Sequence, residues 1–177
     1  MANYGVIDLG SNSVRLVIFD VKDGINKKKP ITCKDFRSII NDKVMAGLSA
    51  YVEAGEFTQE GIARAVDVLS GHLKRARYFN CVRTDIFATA VLRNCTNSRE
   101  AISAIEKAIG APVNLLSARD EAHLSFAGAS CDRTIEKGTV VDLGGGSTEL
   151  IRVEEGHDFD DVSIGQGSLS SYAGYVE

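Results

Sequence analysis

One short sequence pattern occurs twice in this chain. Val6–Leu16 reads VIDLGSNSVRL, and Val140–Leu150 reads VVDLGGGSTEL. Each copy predicts a buried strand that ends near an aspartate, then a turn rich in glycine and serine, and then a second strand, which together form a hairpin. Because glycine has no side chain, the N–H groups of such a turn can approach an anion closely. Two copies predict two related half-domains that face one anion across a cleft.

Composition narrows the classes of function. The 177 residues are 44% hydrophobic and 25% charged, which is typical of a globular chain with a substantial core. The net charge of -4 argues against a general nucleic-acid binder and against a membrane-surface binder. This net charge does not exclude a polyanionic substrate that binds to a local cradle of backbone N–H groups. No stretch is long and apolar enough to span a bilayer, so we predict neither a nucleic-acid nor a membrane partner.

The cysteines and histidines give no sign of a metal centre. Four cysteines occur without CxxC spacing and without a nearby group of histidines. We therefore predict buried or partly buried thiols in a reducing, cytoplasmic compartment. No signal peptide precedes the first predicted strand. His72, His123 and His157 have no partner at ligand spacing, which leaves a zinc site without support.

The order of predicted elements is β-β-β-α-β-α-β-α over roughly the first 130 residues and β-β-β-α after them. Thr58 is the expected N-cap of the first helix. Asn97 begins a pattern like a capping box at the start of the second helix, which Gly110 is expected to end. Ser117 is expected to start a third helix that runs to about Ala129. A lysine run, Lys27–Lys29, is predicted at an exposed loop tip.

Several residues in or beside the two turns could bind a phosphate group through backbone or side-chain donors. They are Ser11, Asn12, Ser13, Gly144, Gly145, Gly146 and Ser147. Asp8 and Asp142 end the first strands of the hairpins, where hard oxygen donors suit Mg²⁺ bridged to phosphate. Each aspartate taken alone could instead accept hydrogen bonds from its own turn. Their equivalence in the repeat favours a shared site.

The sequence pattern alone leaves the roles of three further charged residues open. Arg93 follows a strand-like segment. Its guanidinium group could donate two hydrogen bonds to a phosphate, or it could cap an exposed loop. Arg15 has the same two interpretations, and it aligns with Glu149 in the repeat. Glu121 is expected in the first turn of a helix, where the helix dipole alone favours a carboxylate.

Taken together, the residues resemble the exopolyphosphatase and guanosine pentaphosphate phosphohydrolase (Ppx/GppA) family, which belongs to the actin-like ATPase superfamily. Four blocks match in order: Ile7–Ser13, Ala88–Asn94, Asp120–Phe126 and Val141–Glu149. The resemblance implies an α/β chain with a first actin-like (ribonuclease H-like) domain, with mixed sheet and helices, over residues 1–130. Residues 131–177 would be the start of a second, similar domain that is incomplete relative to the family.

The resemblance also implies roles for individual residues. Glu121 matches the general base that activates water, and Arg93 matches an arginine that grips phosphate. Ser147 and the Gly144–Gly146 amides match the phosphate loop, and Asp8, Asp142 and Glu149 lie near the Mg²⁺ and water positions. The implied activity is a Mg²⁺-dependent hydrolase that releases the terminal phosphate of inorganic polyphosphate or guanosine pentaphosphate.

Two other functions remain open. The chain could be a non-catalytic module that binds phosphate or nucleotide, because the second domain is expected to be incomplete. It could also be a kinase-type or ATPase member of the same superfamily. We expect the short second sheet to expose apolar surface, which predicts an excised fragment, a naturally shortened relative, or a homodimer that covers this surface.

Overall fold

Two larger β-sheets and one two-stranded sheet, formed by Val52–Glu53 and Glu56–Phe57, organise the residues that a computed structural model describes, which are 1–22 and 32–175. The ten strands are β1 (Ala2–Leu9), β2 (Ser13–Val21), β3 (Phe36–Met45), β4 (Val52–Glu53), β5 (Glu56–Phe57), β6 (Cys81–Ala88), β7 (Asn114–Leu115), β8 (Gly138–Leu143), β9 (Thr148–Glu154) and β10 (His157–Ile164). The helices are α1 (Gln59–Tyr78), α2 (Ala90–Arg93), α3 (Ser98–Ile109), α4 (Ala118–Ala129) and α5 (Ser168–Tyr175), with a 3₁₀ turn at Leu48–Tyr51. The predicted loop tip at Lys27–Lys29 lies outside the described residues.

The first sheet has the strand order β3-β2-β1-β6-β7. β1, β2 and β3 are antiparallel neighbours, whereas β6 and β7 continue the sheet in parallel with β1. Alternate residues of β1 and β2, such as Ile7 and Leu16, are fully buried in one core together with Leu69 of α1 and Ile105 of α3. The sheet thus fixes the end of β1, and with it Asp8, against a rigid core.

Local signals set the ends of three helices as predicted. The Thr58 hydroxyl accepts a hydrogen bond from the Gly61 amide at 3.1 Å, and Ser117 accepts one from the Asp120 amide at 3.1 Å. Gly110 ends α3 in the left-handed conformation with φ 68°. These caps place Glu121 on the first turn of α4.

Two local expectations were wrong. The segment before Arg93 is not strand-like up to that residue, because β6 ends at Ala88 and the amides of Leu92 and Arg93 both bond back to the Thr89 carbonyl. Asn97, which the sequence suggests as a capping residue, does not cap α3 with its side chain. Its amide group instead bonds to the backbone N–H and C=O of Phe57 at 2.9 and 3.0 Å.

The second sheet has the order β10-β9-β8 and is antiparallel throughout. Its buried face packs against α4, where Ala122 and Phe126 meet Ile151 and Val153 in a small core. The helix that carries Glu121 therefore rests on the second sheet. The predicted domain boundary at residue 130 stays a prediction.

The other face of the second sheet leaves apolar side chains open to solvent. Val141, Leu143, Val162 and Ile164 are between 43% and 65% exposed. The register places Val141 and Val162 on either side of Leu150 in one row across the sheet.

The burial of the cysteine thiols and the length and polarity of the helices agree with what the sequence predicts. All four cysteines are free, with Cys95 buried and the other three partly buried. No helix in the described part of the chain has the length and apolar character needed to cross a membrane.

Candidate active site

The two glycine- and serine-rich turns meet at one place. A Cβ atom added to Gly145 would lie 3.4 Å from the Cβ of Ser11 and 3.6 Å from that of Asn12. A Cβ atom on Gly146 would collide with the Ser11 hydroxyl oxygen. The turns can approach this closely because Gly145 and Gly146 have no side chain.

Backbone hydrogen bonds from later segments of the chain fix the carbonyl groups of both turns. In the first turn, the Ser11 carbonyl accepts from the Ser49 amide at 2.9 Å, and the Asn12 carbonyl accepts from the amides of residues 46 and 47. In the second turn, the carbonyls of Gly144 and Gly145 accept from the amides of residues 168 and 169 at 2.9 and 3.0 Å. Each turn is therefore braced by the segment that lies further along its own half of the chain.

Four amide groups of these turns have no protein partner among the residues that the structure describes. Within residues 1–22 and 32–175, the N–H groups of Ser11, Asn12, Gly145 and Gly146 make no hydrogen bond to the protein. Backbone N–H groups are strong donors that are rarely left unpaired away from water. Four such donors at the meeting point of two turns form a cradle suited to an anion.

A cleft of about 310 Å³ opens over the cradle. Both turns contribute to its walls, and Thr89 and Ala90 come from the start of α2. The side chains that can carry charge are Asp8, Arg15, Glu121 and Asp142. The cleft thus brings together residues from β1, β2, α4 and β8, which are far apart in the sequence.

Asp8 and Asp142 occupy equivalent places in the two hairpins. Asp8 pairs across its hairpin with Arg15, and Asp142 pairs across its own with Glu149. Solvent reaches Asp8 from the open cleft, although protein atoms fill most of the space around it. This partial burial raises the pKa of Asp8. The positive charge of Arg15 lowers it, and the negative charge of Asp142 adds a smaller increase. Asp142 also accepts a hydrogen bond from the Ser125 hydroxyl of α4.

Glu121 lies at the edge of this cleft in contact with Arg93. Arg93 Nη1 donates to Glu121 Oε2 at 2.5 Å and to the Leu116 carbonyl at 3.2 Å. Behind them, the fully buried Glu149 lies 4.0 Å from Arg93 Nη2 and accepts from the Ser163 hydroxyl at 2.9 Å. Arg93 is therefore fixed between two carboxylates and a carbonyl, and it orients Glu121.

The pKa of Glu121 is raised above its ordinary value. Burial is the main cause, and the charges of Glu149 and Asp8 add to it, whereas the hydrogen bond and charge of Arg93 act in the opposite direction. A carboxylate that is ionised yet has increased proton affinity has the character required of a general base.

The site residues predicted from the sequence fall into two groups by position. All of them line the cleft except Arg93 and Glu149, which lie directly behind Glu121. Their roles remain predictions. Two lining residues, Arg15 and Thr89, were not assigned a role from the sequence. Thr89 lies inside one of the four matching blocks, and the sequence left open whether Arg15 contacts a phosphate or caps an exposed loop.

The carboxylates do not form a compact metal-binding cluster. Among residues 1–22 and 32–175, no group of three or more His, Cys, Asp or Glu side chains is arranged to hold a metal ion. Asp8 and Asp142 offer two hard oxygen ligands at one cleft, which fits an ion such as Mg²⁺ that keeps several waters and binds phosphate oxygens as further ligands.

Comparison with known proteins relates this chain to one phosphatase family. The model of the Ppx/GppA phosphatase family matches residues 6–170. A Photobacterium profundum protein named guanosine-5'-triphosphate,3'-diphosphate pyrophosphatase is 31% identical over 157 residues, which cover 88% of this chain and 29% of that protein. A Haemophilus influenzae protein whose name describes a proposed exopolyphosphatase is 31% identical over 147 residues, 82% of this chain and 42% of that protein.

A solved structure shows the same fold. The exopolyphosphatase from Cytophaga hutchinsonii superposes with a TM-score of 0.84 at 24% identity, over 98% of this chain and 54% of that one. The predicted actin-like α/β fold is thereby confirmed. The chain spans less than half the length of these two curated relatives and about half of the solved structure.

Proposed function

The chain belongs to the Ppx/GppA phosphatase family, and on this basis we propose that it hydrolyses the terminal phosphoanhydride bond of inorganic polyphosphate or guanosine pentaphosphate. One observation carries the proposal: the unpaired amides of Ser11, Asn12, Gly145 and Gly146 meet under a cleft that also contains Glu121. Phosphoryl transfer depends on holding the phosphate and neutralising its charge beside an in-line nucleophile. The cradle would hold the terminal phosphate, and Glu121 would serve the nucleophile.

In the proposed reaction, the oxygen of a water molecule attacks the terminal phosphorus. The bond from that phosphorus to the bridging oxygen breaks, and the shortened chain leaves with this oxygen. Glu121 accepts a proton from the attacking water, and inorganic phosphate is the second product. Arg93 positions the Glu121 carboxylate through the bond at 2.5 Å.

We also propose that Asp8 and Asp142 hold Mg²⁺ when substrate is bound. Among the described residues, the lining of the cleft has three carboxylates and one cation, Arg15, so a polyphosphate would meet net negative charge there. Mg²⁺ would neutralise phosphate oxygens there. The outward position of Asp8 and Asp142 suits this role, whereas Glu149 is buried beside Arg93 and Ser163. A metal role for Glu149, a cytoplasmic location and a homodimer remain predictions.

The decisive substitution is Glu121→Gln, which keeps the size of the side chain and removes its basicity. We expect phosphate release from polyphosphate, or from guanosine pentaphosphate, to fall by about 10²–10⁴-fold, the usual contribution of a general base. Release would be measured with Mg²⁺ present, for both substrates, and circular dichroism would show that the variant is folded.

Glu100→Gln is the matched control. Glu100 also lies in the first turn of a helix, but it is exposed on α3 and does not line the cleft. Its substitution should leave the rate unchanged. Full activity in a folded Glu121→Gln variant would eliminate Glu121 as the base, and binding of both substrates without turnover by the unmodified protein would overturn the hydrolase assignment.

A further inference from the structure

Two cysteines that are far apart in the sequence lie in contact in the fold. Cys33 precedes β3, and Cys131 follows α4. The Cys131 thiol hydrogen-bonds with the side chain of Cys33 and also with its backbone. Both cysteines are free, so they form a reduced pair whose sulfur atoms are close to each other. Neither residue takes part in the proposed hydrolysis.

A hydrogen-bonded turn at the edge of the first sheet fixes Cys33. The Asp35 amide donates to the Thr32 carbonyl at 2.9 Å, and the Asp35 carboxylate accepts from the amide and the hydroxyl of Thr32 at 2.9 and 2.8 Å. The Lys22 amide, next to the end of β2, donates to the Asp35 carbonyl at 3.0 Å. Cys33 therefore belongs to an ordered turn that is attached to the first sheet.

The end of α4 fixes Cys131. The Cys131 amide donates to the Gly128 carbonyl at 3.3 Å, and the adjacent Ser130 hydroxyl donates to the Phe126 carbonyl at 2.7 Å. Phe126 belongs to the small core between α4 and the second sheet. The contact between the two thiols therefore joins the edge of the first sheet to the helix that rests on the second.

The pair is accessible and has no further ligands for a metal. Cys33 and Cys131 are partly exposed, whereas Cys95 is buried, so a small oxidant can reach them. In the part of the chain that the structure describes, no three His, Cys, Asp or Glu side chains are grouped to hold a metal ion, and a structural zinc ion needs four ligands. Oxidation to a disulfide is the chemistry that two adjacent thiols support.

The surroundings of Cys131 also favour this chemistry. Desolvation raises the pKa of its thiol, the charge and side-chain hydrogen bond of Cys33 raise it further, as does the charge of Asp132, and the Cys33 backbone has the opposite effect. The two thiols therefore do not readily ionise together. A thiolate beside a thiol is the combination that an oxidant converts to a disulfide.

We propose that Cys33 and Cys131 form a reversible disulfide on exposure to hydrogen peroxide, and that this bond ties the end of α4 to the edge of the first sheet. One thiol loses its proton and its sulfur attacks a peroxide oxygen, so that the O–O bond breaks and gives a sulfenic acid and one water. The second sulfur attacks the sulfenic sulfur, the S–O bond breaks, and the hydroxyl group leaves with the remaining thiol proton as a second water. Two thiols are oxidised and one peroxide is reduced.

The bond would form away from the catalytic cleft. Glu121 and Ala129 are eight residues apart on α4, which corresponds to about 12 Å at about 1.5 Å per residue, and Cys131 lies beyond Ala129. Among the described residues that line the cleft, neither cysteine occurs. The disulfide therefore changes how the helix that carries Glu121 is attached without contacting the proposed catalytic residues.

Peptide mapping of the unmodified protein tests the bond directly. After brief treatment with an equimolar amount of hydrogen peroxide, alkylation of the denatured protein should modify two thiols, whereas the reduced protein has four to modify. The mapped peptides should include one linked species that contains both Cys33 and Cys131. Dithiothreitol should remove this species and restore all four alkylations.

Single substitutions identify the two partners. Cys33→Ser and Cys131→Ser should each abolish the linked species, and circular dichroism would show that both variants are folded. Cys81→Ser is the matched control, because Cys81 is also partly buried but its thiol hydrogen-bonds with the Thr84 side chain. This variant should form the disulfide to the same extent as the unmodified protein.

Hydrogen exchange measures the effect of the bond on α4. In the oxidised protein, the amides at the C-terminal end of α4 should exchange more slowly than in the reduced protein, because the bond opposes local opening there. The amides of α1 should exchange at the same rate in both forms.

Four results would each overturn the proposal. They are alkylation of all four thiols after peroxide, sulfinic acid at either cysteine without linkage, a linked species that contains Cys81 or Cys95, and equal exchange of α4 in both forms. None of these measurements depends on phosphate release. Their failure would leave the Glu121→Gln experiment unaffected.

Discussion

Glu121 acquires its chemical character from residues that the sequence places far away. Its position in the first turn of α4 is favoured by the helix dipole, as for any carboxylate. The contact with Arg93 joins residues 28 positions apart, and Glu149 approaches from the second sheet. Sequence spacing alone therefore gave Glu121 little weight, and only the family resemblance identified it as the candidate base.

The pH dependence of the rate should report on Glu121. A base must be ionised, so kcat/KM should fall as the pH decreases through its pKa. Because burial raises that pKa, the fall should begin at a higher pH than for an exposed glutamate. The measurement is a pH–rate profile for the unmodified protein and for Glu121→Gln.

The comparison must separate Glu121 from Asp8, whose pKa is also raised. The acidic fall should disappear from the residual activity of Glu121→Gln and persist in that of Asp8→Asn. The opposite result would assign the acidic limb to Asp8 and contradict the role of Glu121.

At the scale of elements, the two hairpins can be recognised from the sequence because each pattern is local. Strand, turn and second strand follow one another without a break, and the observed register pairs Asp8 with Arg15 and Asp142 with Glu149 in the same way. The errors at Arg93 and Asn97 have a different origin. Before Arg93, local hydrogen bonds to the Thr89 carbonyl form a short helical turn in place of the expected strand-like segment. At Asn97, a tertiary hydrogen bond with Phe57 replaced the local capping preference.

The contact between the hairpins gives a prediction at this scale. Gly146→Ala would place a methyl group against the Ser11 hydroxyl oxygen, so the turns would have to separate. We expect a loss of about 1–3 kcal/mol in the free energy of unfolding, the usual cost of overpacking, together with a large loss of phosphate release. Urea denaturation and the release assay would measure the two effects.

Gly128→Ala is the control for this change. Gly128 lies in α4, and a Cβ atom there would meet nothing within 4 Å. Since alanine favours helix more than glycine, this variant should be as stable as the unmodified protein or more so, with unchanged activity. Normal activity in Gly146→Ala would show that the close approach of the turns is not required for the reaction.

Helices cover the two larger sheets of the described residues unequally. The first sheet is packed against α1 and α3, whereas the second is packed on one face by α4 and exposes Val141, Leu143, Val162 and Ile164 on the other. A contiguous apolar face of this kind favours association. This surface is the physical basis of the predicted homodimer.

Light scattering coupled to size-exclusion chromatography tests that prediction. The unmodified protein should show a mass that rises with concentration towards a dimer, and Val141→Lys with Val162→Lys should shift it towards the monomer. Val82→Lys is the control, because Val82 is 65% exposed on the first sheet, compared with 58% and 56% for Val141 and Val162. A monomer at every concentration would contradict the homodimer.

The sequence by itself determined the duplicated hairpins, the helix starts at Thr58 and Ser117, and the family, because these depend on residues that are close together in the chain. Only the tertiary structure decided that the unpaired amides of two distant turns share one cleft and that Arg93 lies between Glu121 and Glu149. Convergence of this kind depends on how the two sheets and α4 pack, and packing is a property of the whole chain that no short pattern encodes.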